Sequence, residues 1–268
     1  GAGGEPVVIP PDPEVLFSVK PGALGLDDSG VRGETNVQNV IYSSKTGQQE
    51  AIDGTNAVKI TGESLGLAPT DQIVAFAILQ AAPKNPHYLI SVADDVNGFS
   101  AGSFTTRIEA SYYDEGQAEE GDIYYSAGIK SFRDPGEGGD DYGYQAMLAT
   151  EVSLGLSPGN GDDTAPDDLT GLAVHDANQA ITEIYFAVSS TATGADDTAV
   201  AGADPTERGC TVFKSTLNGN NTVAFSCAEL GLLASAANPD QIDALAVYGT
   251  TKPTTVVFSV TSGSQGAV

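Results

Sequence analysis

Gly62-Glu63-Ser64-Leu65-Gly66 has the G-x-S-x-G spacing of a hydrolase nucleophile elbow, where a tight strand-to-helix turn exposes a serine hydroxyl. That chemistry needs a base within hydrogen-bond reach and a long helix behind the turn. The chain has only two histidines, His87 and His175, and the segment after Gly66 shows no helical period. Later stretches that align with this one carry Ser153 and Glu229 in place of Ser64, so the motif predicts a structural turn. His87, His175 and Arg133 are the polar candidates for a hydrolase or lyase site that breaks the repeat described below.

The acidic pairs Asp27-Asp28, Asp94-Asp95 and Asp196-Asp197 offer hard oxygens in loops, the ligand type that calcium takes. No EF-hand spacing accompanies them, and the competing reading is that they cap turns and keep the surface solvated. Asp71, Asp167 or Asp168, and Asp240 stand before apolar runs and admit the same two readings. Tyr112, Tyr113, Tyr142 and Tyr144 concentrate in the middle of the chain, where exposed rings would suit a carbohydrate and buried ones cross-strand packing. A calcium-supported module that binds cell-surface glycans is therefore one functional expectation.

The two cysteines, Cys210 and Cys227, flank Asn218-Gly219, the dipeptide that most favours two-residue hairpin turns. Counting outward from such a turn, with Leu217 opposite Asn220, sets Cys210 opposite Cys227 in a non-hydrogen-bonded pair. Cα atoms there lie roughly 4.5 Å apart, within disulfide range. A disulfide is expected, and with it an oxidising compartment. Asn220-Asn221-Thr222 in the same hairpin matches a glycosylation acceptor.

These residues sit in a repeat. Residues 52–67 (IDGTNAVKITGESLGL), 141–156 (DYGYQAMLATEVSLGL) and 217–232 (LNGNNTVAFSCAELGL) align without gaps. All share Gly at the third position and end in Leu-Gly-Leu, and Val58/Ile60, Met147/Ala149 and Val223/Phe225 suggest half-buried strands of period two. DQIVAFAI (71–78), DDLTGLAV (167–174) and DQIDALAV (240–247) follow each Leu-Gly-Leu. LFSV, LISV, YFAV and VFSV end at Val19, Val92, Val188 and Val260, and a glycine lies six residues beyond each, at Gly25, Gly98, Gly194 and Gly266. VIYSS (40–44), DIYYS (122–126) and TVFKS (211–215) complete the set. These four segment types are named FSV, IYS, pre-LGL and DxI below.

Four strands per unit in consecutive order suit blades around an axis. The expectation is an all-β protein of three four-stranded units, propeller-like by preference, with consecutive β-sandwich units as the alternative. Residues 1–13, with Pro6, Pro10, Pro11 and Pro13, read as an extended arm. Residues 14–268 form a single repeat domain with units near 14–92, 93–188 and 189–260 and a short tail.

Asp and Glu number 36 against 11 Lys and Arg, a net charge of −25 that repels nucleic acid and anionic headgroups. No apolar stretch has the length of a membrane span. Together LFSV with its glycine, DIYYS, SLGL and DQIDALAV resemble a repeat module of exported bacterial proteins. The resemblance runs over nearly all of residues 15–268, and it implies a secreted or cell-surface β protein without assigning catalytic residues. The leading functional expectation is an extracellular structural or adhesive protein that self-associates through a terminal strand or the proline-rich arm.

Overall fold

The computed structural model describes residues 16–24, 27, 29–34, 37–44, 56–79, 87–93, 100–101, 104–105, 121–133, 141–157, 167–175, 181–234, 239–249 and 253–266. The strands are β1 (Leu16–Phe17), β2 (Ile41–Ser43), β3 (Ala57–Ile60), β4 (Ile73–Leu79), β5 (His87–Val92), β6 (Ser100–Ala101), β7 (Phe104–Thr105) and β8 (Ile123–Arg133). They continue with β9 (Asp141–Ala149), β10 (Leu169–Val174), β11 (Ile184–Val188), β12 (Val212–Ser215), β13 (Asn221–Phe225), β14 (Ile242–Tyr248) and β15 (Thr255–Val260). The helices among the described residues are short turns, so the fold is predominantly β, as the repeat predicts.

Two complete antiparallel sheets, β4-β5-β8-β9 and β10-β11-β12-β13, take their strands in the order DxI, FSV, IYS, pre-LGL. A three-stranded sheet, β1-β2-β3, precedes them, the two-stranded sheet β14-β15 follows, and β6 and β7 pair separately. Each complete sheet thus begins on a DxI strand and straddles the unit boundaries drawn from the sequence.

Every pre-LGL strand carries a β-bulge at the same place. Ile41 pairs with Ile60 but Tyr42 pairs with Val58, leaving Lys59 as the extra residue. Leu148 and Ala224 are the extra residues in the other two units. A bulge turns the chain so that residues two apart no longer share a face. Ile60 joins the core formed with the second sheet, whereas Val58 packs on the opposite face with Tyr42. The period-two expectation for these strands is corrected accordingly. The DxI strands are bulged too, at Val74, Thr170 and Asp243, and Asp243 is exposed.

The sheets stack face to face, as aligned sheets with alternate inward residues do. Ile41, Ile60, Ile73, Ile90 and Tyr124 fill the first interface. Ala75, Ala77, Leu89, Leu172, Phe186 and Phe213 fill the second. Ala173, Tyr185, Ile242, Leu245 and Val247 fill the third. β10 packs against both β4 and β14, and the small residues on its approach face make this close. A Cβ on Gly171 would lie 3.0 Å from the Leu245 Cβ.

Leu-Gly-Leu is a helix stop. Thr61, Thr150 and Ser226 cap the turns Gly62–Leu65, Glu151–Leu154 and Cys227–Leu230 by accepting from the third backbone N–H. Gly66, Gly155 and Gly231 are left-handed, and the next leucine N–H reaches back to the first carbonyl of the turn at 2.8, 2.9 and 2.8 Å. This is a Schellman closure, whose flanking leucines bury between sheets. Ser64 lies inside such a turn with its hydroxyl 3.1 Å from that of Thr61, so the G-x-S-x-G match is a structural turn.

The three stop glycines differ in surroundings, which yields a prediction. A Cβ on Gly231 has nothing within 4 Å, whereas one on Gly155 would sit 2.9 Å from Asn221 Nδ2 and 3.0 Å from the Gly219 carbonyl. Gly231→Ala should cost about 1 kcal/mol from positive φ alone. Gly155→Ala adds the loss of buried hydrogen bonds and should cost about 3 kcal/mol in urea unfolding.

Candidate functional site

The aspartate ahead of each DxI strand accepts from backbone N–H groups, and Asp167 and Asp240 each tie three segments together. Asp240, fully buried, accepts from the N–H groups of Leu233 at 2.8 Å, Gln265 at 2.7 Å and Gly266 at 2.9 Å. Asp167 does the same for Ser157 at 2.7 Å, Gly194 at 2.8 Å and Thr193. Asp71 accepts from Ala68 N–H at 2.7 Å. The first donor is always the residue after Leu-Gly-Leu. The last, for Asp167 and Asp240, is the glycine six residues beyond the FSV valine, and Gly194 and Gly266 are left-handed, with φ of 69° and 72°. Gly25 and Gly98 lie outside the described residues. Backbone N–H donors around one ionised carboxylate make short, charge-assisted bonds. Burial alone would raise the Asp240 pKa, but its three backbone donors outweigh burial and hold it below the ordinary carboxylate value. Of the two readings entertained for these aspartates, the geometry supports capping.

The pairs expected to offer calcium ligands fare differently. Asp27 is exposed and 3.6 Å from Arg32 Nε, and Asp196 and Asp197 are exposed, the latter with φ of 65°. Asp28, Asp94 and Asp95 lie outside the described residues, as do Tyr112, Tyr113 and the arm 1–13. The backbones of Tyr142 and Tyr144 belong to β9, with Tyr142 opposite Phe132, and their side chains lie outside the described part. They stand inside a strand, because the β8-β9 hairpin is longer than its counterparts. Among the described residues, no cluster of three His, Cys, Asp or Glu gathers as metal ligands would.

The histidines are not brought together with a nucleophile. His87 Nδ1 meets the Tyr125 hydroxyl, with the two rings edge to face at 5.1 Å. Burial raises the Tyr125 pKa. His175 donates from Nε2 to the Gly249 carbonyl at 2.9 Å, a link between the third sheet and β14-β15. Arg133 ends β8.

Cys210 and Cys227 are bonded, with Cα atoms 5.0 Å apart. The pairing matches expectation while the register argument behind it needs correction. The β12-β13 ladder begins at Ser215 and Asn221, so residues 216–220 form a longer loop than a two-residue turn. The bulge at Ala224 then restores the count, and Val212 faces Phe225. Neither cysteine lies in the ladder: Cys210 ends the short turn Arg208–Cys210, and Cys227 opens the Cys227–Leu230 turn.

Two positioning residues escaped the sequence reading. Buried Asn221 accepts from Val200 N–H at 3.0 Å and donates to the carbonyls of Leu154 at 3.1 Å and Gly155 at 2.9 Å, joining adjacent units. Asn56, at the equivalent place, accepts from Val31 N–H at 3.1 Å, and that recurrence was the available signal. Arg208 donates to the carbonyls of Ala192, Val200, Ala201 and Ala203, an assignment that no sequence pattern announces. No protein family, curated protein or solved structure matches the chain. Among the described residues, no helix is long and apolar enough to cross a membrane.

Two measurements probe these ties. Asp240→Ala removes the shared charged acceptor of three backbone N–H groups and should lower unfolding free energy by about 3 kcal/mol, with Asp240→Asn intermediate because it keeps one acceptor oxygen. Because the folded pKa of Asp240 is depressed, its stabilisation is complete above about pH 3.9 and disappears as pH falls through the lower folded value. The wild-type advantage over Asp240→Ala should therefore shrink in strong acid and stay constant between neutral pH and mild acid. Replacing both cysteines by serine, which opens the 17-residue link, should cost about 3 kcal/mol in the same assay.

Proposed function

We propose that this chain is a structural repeat protein of the cell exterior, a propeller-like stack of sheets that self-associates through β14-β15. The disulfide favours an oxidising compartment, and the acidic surface and repeat favour a scaffold over a catalyst.

One observation carries this reading. The face of each complete sheet that bears Leu79 and Leu89, or Ala173 and Tyr185, is covered by the next sheet in the stack. On β14-β15 the matching positions are Tyr248 and Val257, at 58% and 55% exposure, where Leu79 and Leu89 show 7% and 0%. β15 also takes no second strand partner among the described residues, unlike β5 and β11. An open edge beside an apolar face is a template for another chain. A second copy of this protein is the proposed occupant.

Light scattering across protein concentration should find association that strengthens with salt, since the net charge of −25 opposes it and about 1 M salt shortens the screening length to about 3 Å. Val257→Asp should return the protein to monomer, and removal of residues 1–13 should leave association intact. A wild-type monomer at every concentration and salt level would refute the proposal. Association lost only with residues 1–13 would transfer the role to the arm.

A further inference from the structure

Asn-Gly is the dipeptide most prone to spontaneous succinimide formation, because glycine leaves the following backbone nitrogen unshielded. In that reaction the Gly219 nitrogen would attack Asn218 Cγ. A C–N bond forms, the Cγ–Nδ2 bond breaks, and ammonia departs with the proton from Gly219. Water then opens the ring at either carbonyl and leaves aspartate or isoaspartate. Water is the only co-reactant, and Asn218 is exposed to it.

The loop nevertheless holds the side chain in place and keeps the attacking nitrogen occupied. Gly219 N–H donates to the Ser153 carbonyl of the neighbouring unit at 2.9 Å. Asn218 Oδ1 accepts from Asn220 N–H at 3.2 Å. The Ser215 hydroxyl braces the loop from inside, donating to the Asn220 carbonyl at 2.7 Å and accepting from Leu217 N–H at 3.1 Å. Leu217 and Gly219 are both left-handed, at φ of 62° and 83°, so the backbone is held in one unusual path. A nitrogen committed to another unit's carbonyl cannot turn onto the adjacent side chain.

We propose that Asn218 is a modification site held in check by the packing of one unit on the next. While the Gly219–Ser153 bond stands, the amide persists; once the unit opens, Asn218 converts to aspartate and isoaspartate. Isoaspartate inserts a methylene into the backbone and adds a negative charge beside the Ser153 carbonyl. The loop then cannot resume its path, so a reversible opening becomes permanent.

The test follows conversion at mildly alkaline pH by mass spectrometry of the peptide spanning 216–220, in folded protein and in reduced, denatured protein. Conversion in the folded state should be at least about tenfold slower, the factor that an opening cost of about 1.4 kcal/mol imposes when only the open form reacts. Equal rates would overturn the proposal. Ser215→Ala, checked for native circular dichroism, should raise the folded-state rate and leave the denatured rate unchanged. An unchanged folded-state rate in that variant would equally overturn it, because the braced loop would not be the source of protection.

Discussion

A buried carboxylate that accepts chiefly from backbone N–H groups is the constraint on which the rest of this structure turns. Asp167 and Asp240 each gather N–H groups from the exit of a Schellman turn and from the glycine loop after an FSV strand. Those segments are far apart in the chain, and an ionised group in the interior persists only with such partners. Each clamp therefore fixes where one sheet hands the chain to the next. The residue after the aspartate extends the same junction, since the carbonyls of Gln72, Asp168 and Gln241 accept from Ala93, Ser189 and Thr261.

The clamp explains why the glycine recurs. Gly194 approaches so closely that a Cβ would fall 2.4 Å from the Ala201 nitrogen, and its φ of 69° is left-handed. Gly266 shares that φ region, but a Cβ there would meet only the Gly231 carbonyl oxygen at an ordinary 3.7 Å, so the backbone conformation rather than crowding demands the glycine. At both places the glycine presents its N–H to the carboxylate. The leucines of Leu-Gly-Leu are set by the same geometry: the stop that directs the first donor at the aspartate also drives Leu154 and Leu156 into the sheet interface.

Much of this was legible in the residues. The repeat announced the four strand types, the glycine spacing announced a recurrent position, and the cysteines announced their bond. What pattern alone missed has a common cause. A β-bulge changes the face of every residue beyond it without changing composition, so Val58 and Ile60 look like one stripe and pack in different cores. The cysteine pairing came out right although the register did not, because a loop longer than two residues and a bulge at Ala224 offset one another. Asp167 and Asp240 were visible as recurrent, but a carboxylate that binds calcium and one that binds amides read alike until the donors are placed. Asn221 acts through backbone carbonyls more than sixty residues away, with only the recurrence of Asn56 to point there, and Arg208 gathers carbonyls from the preceding turn and loop with no pattern to announce it.

The disulfide belongs to the same logic. It links the start of β12 to the turn after β13, flanking the bulge at Ala224 in the third unit. The equivalent bulge in the second sheet lies between two covered faces, with Met147 and Ala149 packed on either side. In the third sheet the corresponding Val223 is 49% exposed, so packing on that side of the bulge is thinner. A covalent tie that restricts the unfolded chain supplies there what side-chain burial supplies in the other units. The link thus sits in the unit whose strand is least covered beside its bulge.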